Sequence, residues 1–388
     1  MAFYYGPVDW PHNDNIFIAV YVAICLAAFN IGALLPQRVA AGPSILEGLV
    51  PKSGTLIALL TAVYVFAVLF QVASLADKNP LLPSSYVIES ADLYETTTEN
   101  AENEEGGAAS QILLLLRSLL FPLVLMAAFQ SRRYGWMIIV SICAVFIVAG
   151  LLKARDKEIS DAILIAVMFL YLKGRFNRVL VASMVAIPLF FMVFLARRQS
   201  RVGDYTLSCL PETEVCFNFS STVAKTFGAD AEILYLFVVN YIAQGYQGLS
   251  YALDLRYDFH YFLGHLEPVR INVCKISSAI CGNPTYADKL QVIGWPAPNK
   301  WTTAYTWLAN DLTFWLVPAY MAFLGYIFRD FQQSWRSYRD ASAACGIVLV
   351  TQFFAFSSGT FQPGISLEWA FATIAFFYLR FFLPRQPV

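Results

Sequence analysis

Residues 16–35 read IFIAVYVAICLAAFNIGALL, with no charge at any position. About 20 apolar residues in a helix span the hydrocarbon of a bilayer. Similar runs lie near 54–76, 109–129, 135–152, 157–173, 179–196, 307–328, 341–359 and 364–383. A tenth, 231–252, is interrupted by Glu232, Asn240, Gln244 and Gln247. In lipid every backbone N–H and C=O must be paired within the protein, so such runs are read as helices. The expected fold is therefore an all-α polytopic membrane protein with nine or ten transmembrane helices.

The composition agrees, at 58% hydrophobic and 14% charged, against roughly 25% charged in a soluble domain. A net charge of −1 offers no strong attraction for a polyanion, which argues against nucleic acid as a partner. The N-terminal MAFYYGPVDWPHND has no basic stretch of the kind that opens a signal peptide, so the first run is expected to stay in the membrane. No internal repeat or inverted two-half pattern stands out, which weakly disfavours common transporter architectures.

Orientation follows from the positions of lysine and arginine. If the N-terminus is outside and 231–252 does not cross, twelve basic residues, including Lys173 and Arg380, fall on inner segments and four on the short outer ones. If 231–252 crosses, RDFQQSWRSYRD turns outward, against the rule. The segment is therefore read as a re-entrant or amphipathic helix. The expected organisation is a bundle at 1–196 with an acidic outer loop at 77–107, a large periplasmic loop at 197–306 and a second bundle at 307–388.

The cysteines bear on the same loop. Cys25, Cys143 and Cys345 lie in apolar runs and read as small hydrophobes. Cys209, Cys216, Cys274 and Cys281 lie in the large loop as two pairs, CLPETEVC and CKISSAIC. An even set in one polar loop suggests disulfides in an oxidising compartment, with local pairing preferred among three connectivities. A zinc site is the rival reading, but six intervening residues exceed the usual two to four; four reduced cysteines is the other. No metal is expected.

Polar chemistry concentrates in RYDFHYFLGHLEPVRINVC, residues 256–274, which holds two of the three histidines, His260 and His265, between Arg256 and Arg270. Imidazoles titrate near neutrality and suit proton transfer from an attacking hydroxyl. Arginine forks match phosphate oxygens. Arg197, Arg198, Arg201 and Lys300 extend the basic set at the span ends, where snorkelling to headgroups is the competing reading. Arg117 lies inside an apolar run, QILLLLRSLLFPLV, and is expected to face a bundle interior or wet cavity, with Asp161 or Glu368 as candidate partner. Trp295, Trp301, Trp307 and Trp315 could stack on sugar faces, or form an interfacial aromatic belt. No D-x-D or H-E-x-x-H accompanies these residues.

Two stretches carry a family resemblance. YIAQGYQGLSYALD at 241–254 opens an amphipathic segment of the large loop, and NKWTTAYTWLANDLTFWLVPAYMAFLGYIF at 299–328 leads into a late span. The second, with Asn299, Thr302 or Thr303, Asp311 and Gly325, resembles the corresponding pattern of Wzy-type O-antigen polymerases. It departs from that pattern at NDLTF, where a glycine often stands.

The resemblance implies a GT-C-like membrane glycosyltransferase of the bacterial inner membrane, without cofactor. It would move a growing glycan from undecaprenyl pyrophosphate onto a new lipid-linked repeat unit at the periplasmic face. Partners would be the undecaprenyl-pyrophosphate-linked oligosaccharide, membrane lipid and a polysaccharide chain-length regulator. The expected catalytic residues are His260, His265, Arg256 and Arg270. Substrate binding would involve Arg117, Arg155, Arg197, Arg198, Arg201, Lys300, Asp311 and Tyr246. O-antigen ligases share this architecture and donor, so ligase stands as an alternative, and a lipid-linked sugar flippase or transporter as another.

Overall fold

The computed structural model describes residues 8–9, 15–36, 44–76, 107–153, 156–175, 216–217, 243–277, 282–295, 302–359 and 362–383, with short pieces at 177–179, 181, 184–185 and 225–226. The protein is an all-α polytopic membrane protein. Among the described residues, five helices are long and apolar enough to cross a bilayer. Four of the expected spans appear nearly as read: α1 (Asn15–Leu34), α2 (Gly54–Ala76), α3 (Gly107–Gln130) and α4 (Gly135–Leu152). The fifth is longer than its apolar run and is taken up below. The expected run at 179–196 and the acidic loop at 77–107 lie almost entirely outside the described residues.

The chain forms two compact units that interleave in sequence. One comprises Met1–Arg38, Asp204–Asp330 and Val350–Ala370; the other comprises Val39–Gly203, Phe331–Leu349 and Phe371–Val388.

The second unit is built from α2, α3, α4 and α5 (Asp156–Leu172), which pack as successive neighbours. These helices are apolar on all sides, as lipid-embedded helices are. Some rings turn inward: Phe121 lies between Tyr64 and Phe146 at centroid distances of 6.1 and 6.0 Å. Ile112, Met137 and Val140 turn outward. Lys173, just past α5, donates from Nζ to the Phe129 carbonyl at 2.9 Å. It thereby satisfies one of the carbonyls that the last turn of α3 leaves without an intrahelical donor. Inside α3, Arg117 Nη1 donates to Gln71 Oε1 at 2.6 Å, an acceptor the sequence reading does not name.

The same unit contains a buried charged junction. Asp340 caps the helix Ala341–Ala355: its Oδ1 accepts from the Ser342 and Ala343 N–H groups at 2.9 and 3.2 Å and from Ser342 Oγ at 2.7 Å. Its Oδ2 accepts from the Ser44 N–H at 3.2 Å and forms an ion pair with Arg380 Nη1. Arg380 also reaches Ser342 and Ser334, the latter at 2.9 Å, and its guanidinium covers the Phe331 ring at 5.3 Å. It follows a π-helical stretch, Ile374–Leu379. Arg380, counted in the sequence among the basic residues adjoining an inner segment, is buried, with Asp340 supplying the counter-charge.

The first unit brings α1 against the long helix Ala304–Tyr338. The two backbones nearly touch: a Cβ at Gly325 would overlap the Phe29 carbonyl, and one at Gly32 would overlap the Ala322 carbonyl. Such small-residue contacts are a recurrent way to pack helices in membranes, where lipid removes the hydrophobic drive.

The long helix is not one span. Thr313 has φ 61° and ψ 154°, a conformation almost restricted to glycine, and divides it into a half-helix at 304–312 and a span from 314 to 338. Residues 302–311 are buried, whereas Trp315, Leu316, Ala319 and Phe323 form an exposed apolar stripe. The expected span at 307–328 therefore shifts. The lipid-crossing part starts after Thr313 and is about 37 Å long at 1.5 Å per residue. Pro318 has no N–H for the Phe314 carbonyl, and Tyr21 Oη donates to that carbonyl at 2.9 Å.

Candidate functional site

The half-helix at 304–312 ends on two buried polar residues, Asn310 and Asp311. A polar pair at the end of an apolar element has to be satisfied by something, and the 256–265 segment does it. Asp311 Oδ1 accepts from the Gly264 N–H at 3.1 Å, and Oδ2 from the His265 N–H at 2.9 Å. Oδ2 also lies 2.6 Å from His265 Nδ1. Asn310 Nδ2 donates to the Gly264 carbonyl at 3.3 Å, and its Oδ1 accepts from the Tyr286 N–H at 2.8 Å. Gly264 is required there, since a Cβ would collide with Asn310 Cβ. Tyr257 Oη donates to the Asp311 carbonyl at 2.9 Å, beside the helix break. Burial, then the Asp311 charge, push the Tyr257 phenol up, so it stays a donor.

An ionised carboxylate has no proton to give, so in the His265–Asp311 contact the hydrogen lies on Nδ1. In the neutral ring Nε2 is then the basic nitrogen. A buried carboxylate that fixes one tautomer and orientation of an imidazole is the arrangement by which hydrolase triads prepare a general base.

His260, five residues earlier, is 1% exposed, and its Nδ1 has no hydrogen-bond partner. Burial and the Arg270 charge lower its pKa, partly opposed by Asp311. Its imidazole is thus neutral at neutral pH. Arg270 belongs to the helix Glu267–Cys274 and is 8% exposed, with a single long contact of 3.5 Å to Glu267 Oε1 and no partner for its Nε–H. Burial raises the Glu267 carboxyl despite Arg270 beside it, and the ion pair between them is long. Buried polar atoms are nearly always paired, and two exceptions in one cluster call for an explanation.

The helix Tyr286–Val292 closes the other side. Thr285 and Asp288 form a reciprocal capping box at its start. Lys289 donates to Asp258 Oδ2 at 2.7 Å and to the Arg256 carbonyl at 2.6 Å, and lies 5.2 Å over the Tyr286 ring. The hydrogen bond from Lys289 holds Asp258 below the ordinary carboxylate range.

The structure therefore gathers His260, His265, Arg270 and Asp311 around one short loop. Arg256 lies at its exposed edge, held by its carbonyl rather than its side chain. Tyr246 is half-buried in a helix at 243–253 of the same unit, whose other residues, Gln244 and Gln247 among them, are mostly buried. Arg117 belongs to the other unit. Arg155, Arg197, Arg198, Arg201 and Lys300 lie outside the described residues, as do Cys209 and Cys281. Cys216 and Cys274 are each disulfide-bonded, and Cys25, Cys143 and Cys345 are free.

Sequence reasoning missed Asn310, Tyr257 and Lys289. Asn310 had a signal, an amide next to an aspartate in an apolar run; Tyr257 and Lys289 had none. Among the described residues no group of three or more His, Cys, Asp or Glu is placed to hold a metal ion. No family model, curated protein or solved structure matches the chain.

Proposed function

We propose that the chain is a GT-C-like polysaccharide polymerase of the bacterial inner membrane, with the 256–274 loop on the periplasmic side. It transfers a growing glycan from undecaprenyl pyrophosphate to a hydroxyl of a new lipid-linked repeat unit. The observation that carries the reading is the pair of unsatisfied buried groups, His260 Nδ1 and Arg270 Nε–H, beside an oriented Asp311–His265 pair. One side of this cluster is suited to an anion and the other to a proton.

In the proposed reaction His265 Nε2 takes the proton of the acceptor hydroxyl as its oxygen bonds to the anomeric carbon of the donor glycan. The bond from that carbon to the pyrophosphate oxygen breaks, and undecaprenyl pyrophosphate leaves with the electron pair. Arg270 meets the charge that develops on the leaving oxygens, in a poorly hydrated setting where such a contact counts most. Asp311 holds the imidazole in the required tautomer. The disulfide-bonded state of Cys216 and Cys274 suits an oxidising compartment. A chain-length regulator is a natural partner for such an enzyme.

The test is complementation of a polymerase-deficient strain that makes the matching repeat unit, with the lipopolysaccharide ladder as readout. The wild-type chain should restore the ladder. Asp311→Asn, which keeps an acceptor for the backbone but loses the carboxylate, should leave a single capped repeat at equal protein level. Its rate should fall by about three to four orders of magnitude, as for other carboxylate-oriented histidines. Failure of the wild-type chain to extend any repeat would sink the polymerase reading. Polymer made normally but left unattached in a ligase-deficient host, and attached on supplying this chain, would move the assignment to ligase.

A further inference from the structure

The turn that buries His260 also displays an aromatic surface that the site does not use. The Leu263 N–H donates to the His260 carbonyl at 3.0 Å, closing a four-residue turn. Its central residues, Tyr261 and Phe262, have φ of 55° and 62°. Positive φ at both central positions is normally left to Asn and Gly, because a bulky side chain crowds its own carbonyl there. The strained turn sends His260 inward and the rings outward. Tyr261 is 54% and Phe262 61% exposed. Phe259 joins them, its ring centroid 5.4 Å from Tyr261 and 5.2 Å from Phe262. Three contiguous exposed rings held by unfavourable backbone need a compensating contact.

The level of the turn suggests what supplies it. Gly264 abuts Asn310 and Asp311, so the turn sits against the end of the half-helix at 304–312. Just past the break, Trp315 is 88% exposed and opens the apolar stripe that continues through Leu316, Ala319 and Phe323. Every residue from 302 to 311 is buried. The edge of the lipid-facing surface thus falls at Trp315, within about one helical turn of the carboxylate that grips the 264–265 backbone.

We propose that the 259–262 turn is a membrane-interface anchor. Phe259, Tyr261 and Phe262 enter the headgroup region of the leaflet at whose edge Trp315 lies. Tyr and Trp concentrate at that depth because each joins an apolar ring to a polar group, and Phe lies on the apolar side of interfacial segments. The exposed Arg256 guanidinium, three residues before Phe259, is placed to meet lipid phosphates. The anchor sets the height of the His265–Asp311 pair at the water–lipid boundary. It rests on the membrane-spanning fold and not on the chemistry proposed above.

The test places 4-fluorophenylalanine at position 262 of the full chain, a change too small to threaten folding. The protein is reconstituted in nanodiscs of phosphatidylethanolamine and phosphatidylglycerol, and the fluorine signal is read with two relaxation probes. A nitroxide on the lipid headgroup should broaden the signal severalfold more than a water-soluble nickel chelate, and the same label at position 259 should follow. Stronger broadening by the chelate would overturn the proposal. So would a signal insensitive to the headgroup nitroxide that shifts on adding a lipid-free oligosaccharide, since the rings would then be a sugar platform. Tyr261→Ser with the label at 262 gives a second reading: loss of a neighbouring ring should reduce the headgroup effect, and no reduction counts against a joint anchor.

Discussion

Two buried acid–base clusters, one in each compact unit, use similar parts and are finished differently. Around Asp340, both carboxylate oxygens accept several hydrogen bonds, and Arg380 spreads its donors over Asp340, Ser342 and Ser334. Burial alone would raise the Asp340 carboxyl, but the Arg380 charge and the Ser342 donors outweigh it and hold it low. Around Asp311 the carboxylate is equally well served, but its partner is an imidazole; the guanidinium nearby, Arg270, has only a 3.5 Å contact to Glu267, and His260 Nδ1 has no partner. The Asp340 network orders helices through a direct carboxylate–guanidinium pair, although Arg380, like Arg270, leaves a buried Nε–H without an acceptor. The Asp311 cluster leaves a guanidinium without a close carboxylate and an imidazole nitrogen without a partner, a cost that a polar ligand can offset.

The largest effect should come from breaking the Asp340–Arg380 pair. Asp340→Ala leaves Arg380 buried without its counter-charge and should cost about 3–5 kcal/mol, read as thermal unfolding in detergent. Replacing both residues, Asp340→Leu with Arg380→Met, should recover much of that loss. A small effect of Asp340→Ala alone would mean that the junction is wet.

Thr313→Gly probes the strain beside the Asp311 cluster. Glycine adopts φ 61° without penalty, so the variant should gain about 1 kcal/mol once the added freedom of the unfolded chain is subtracted. A loss of stability would show that the Thr313 side chain holds the break in place.

The sharpest contrast is Arg270→Met. By analogy with Asp340→Ala it should destabilise. Because Arg270 is poorly compensated, its removal should instead leave stability unchanged or raise it by up to about 1 kcal/mol, while transfer activity is lost. A clear drop in unfolding temperature would place Arg270 with the structural charges.

The smallest effect is with pH. The folded pKa of His260 is lowered by burial and by Arg270, against Asp311 and Asp258, with Lys289 adding to the lowering. The unfolded chain therefore binds the proton first. The stability associated with the neutral ring is whole above about pH 6.5 and declines as pH falls below it towards the lowered folded value. Comparing the pH dependence of unfolding in wild type and His260→Gln should show this component disappear. An unchanged profile would mean that the buried ring does not titrate in this range.

Much of the fold was legible because lipid leaves the backbone few options. The runs at 16–35, 54–76, 109–129 and 135–152 each became a helix of nearly the expected bounds. The break at Thr313 was not legible, because the residue there is neither glycine nor proline and its conformation is imposed by packing. The burial of Arg380 was not legible for a related reason: its partner lies 40 positions earlier. At the site, the crowding of His260, His265 and Arg270 in one polar segment was visible. Asp311 entered through the pattern of 299–328. That His265 and Asp311 meet, across 46 positions, was not visible, nor was the support from Tyr257, Asn310 and Lys289.

The sequence by itself determined that this chain lives in a membrane as helices and that its polar chemistry gathers around 256–274. Both follow from local composition, since lipid and water sort residues run by run. Only the tertiary structure decided that Arg380 meets a carboxylate directly while Arg270 reaches one only at 3.5 Å. Satisfaction of a buried polar atom depends on what arrives from a distant part of the chain, and no local pattern records that arrival.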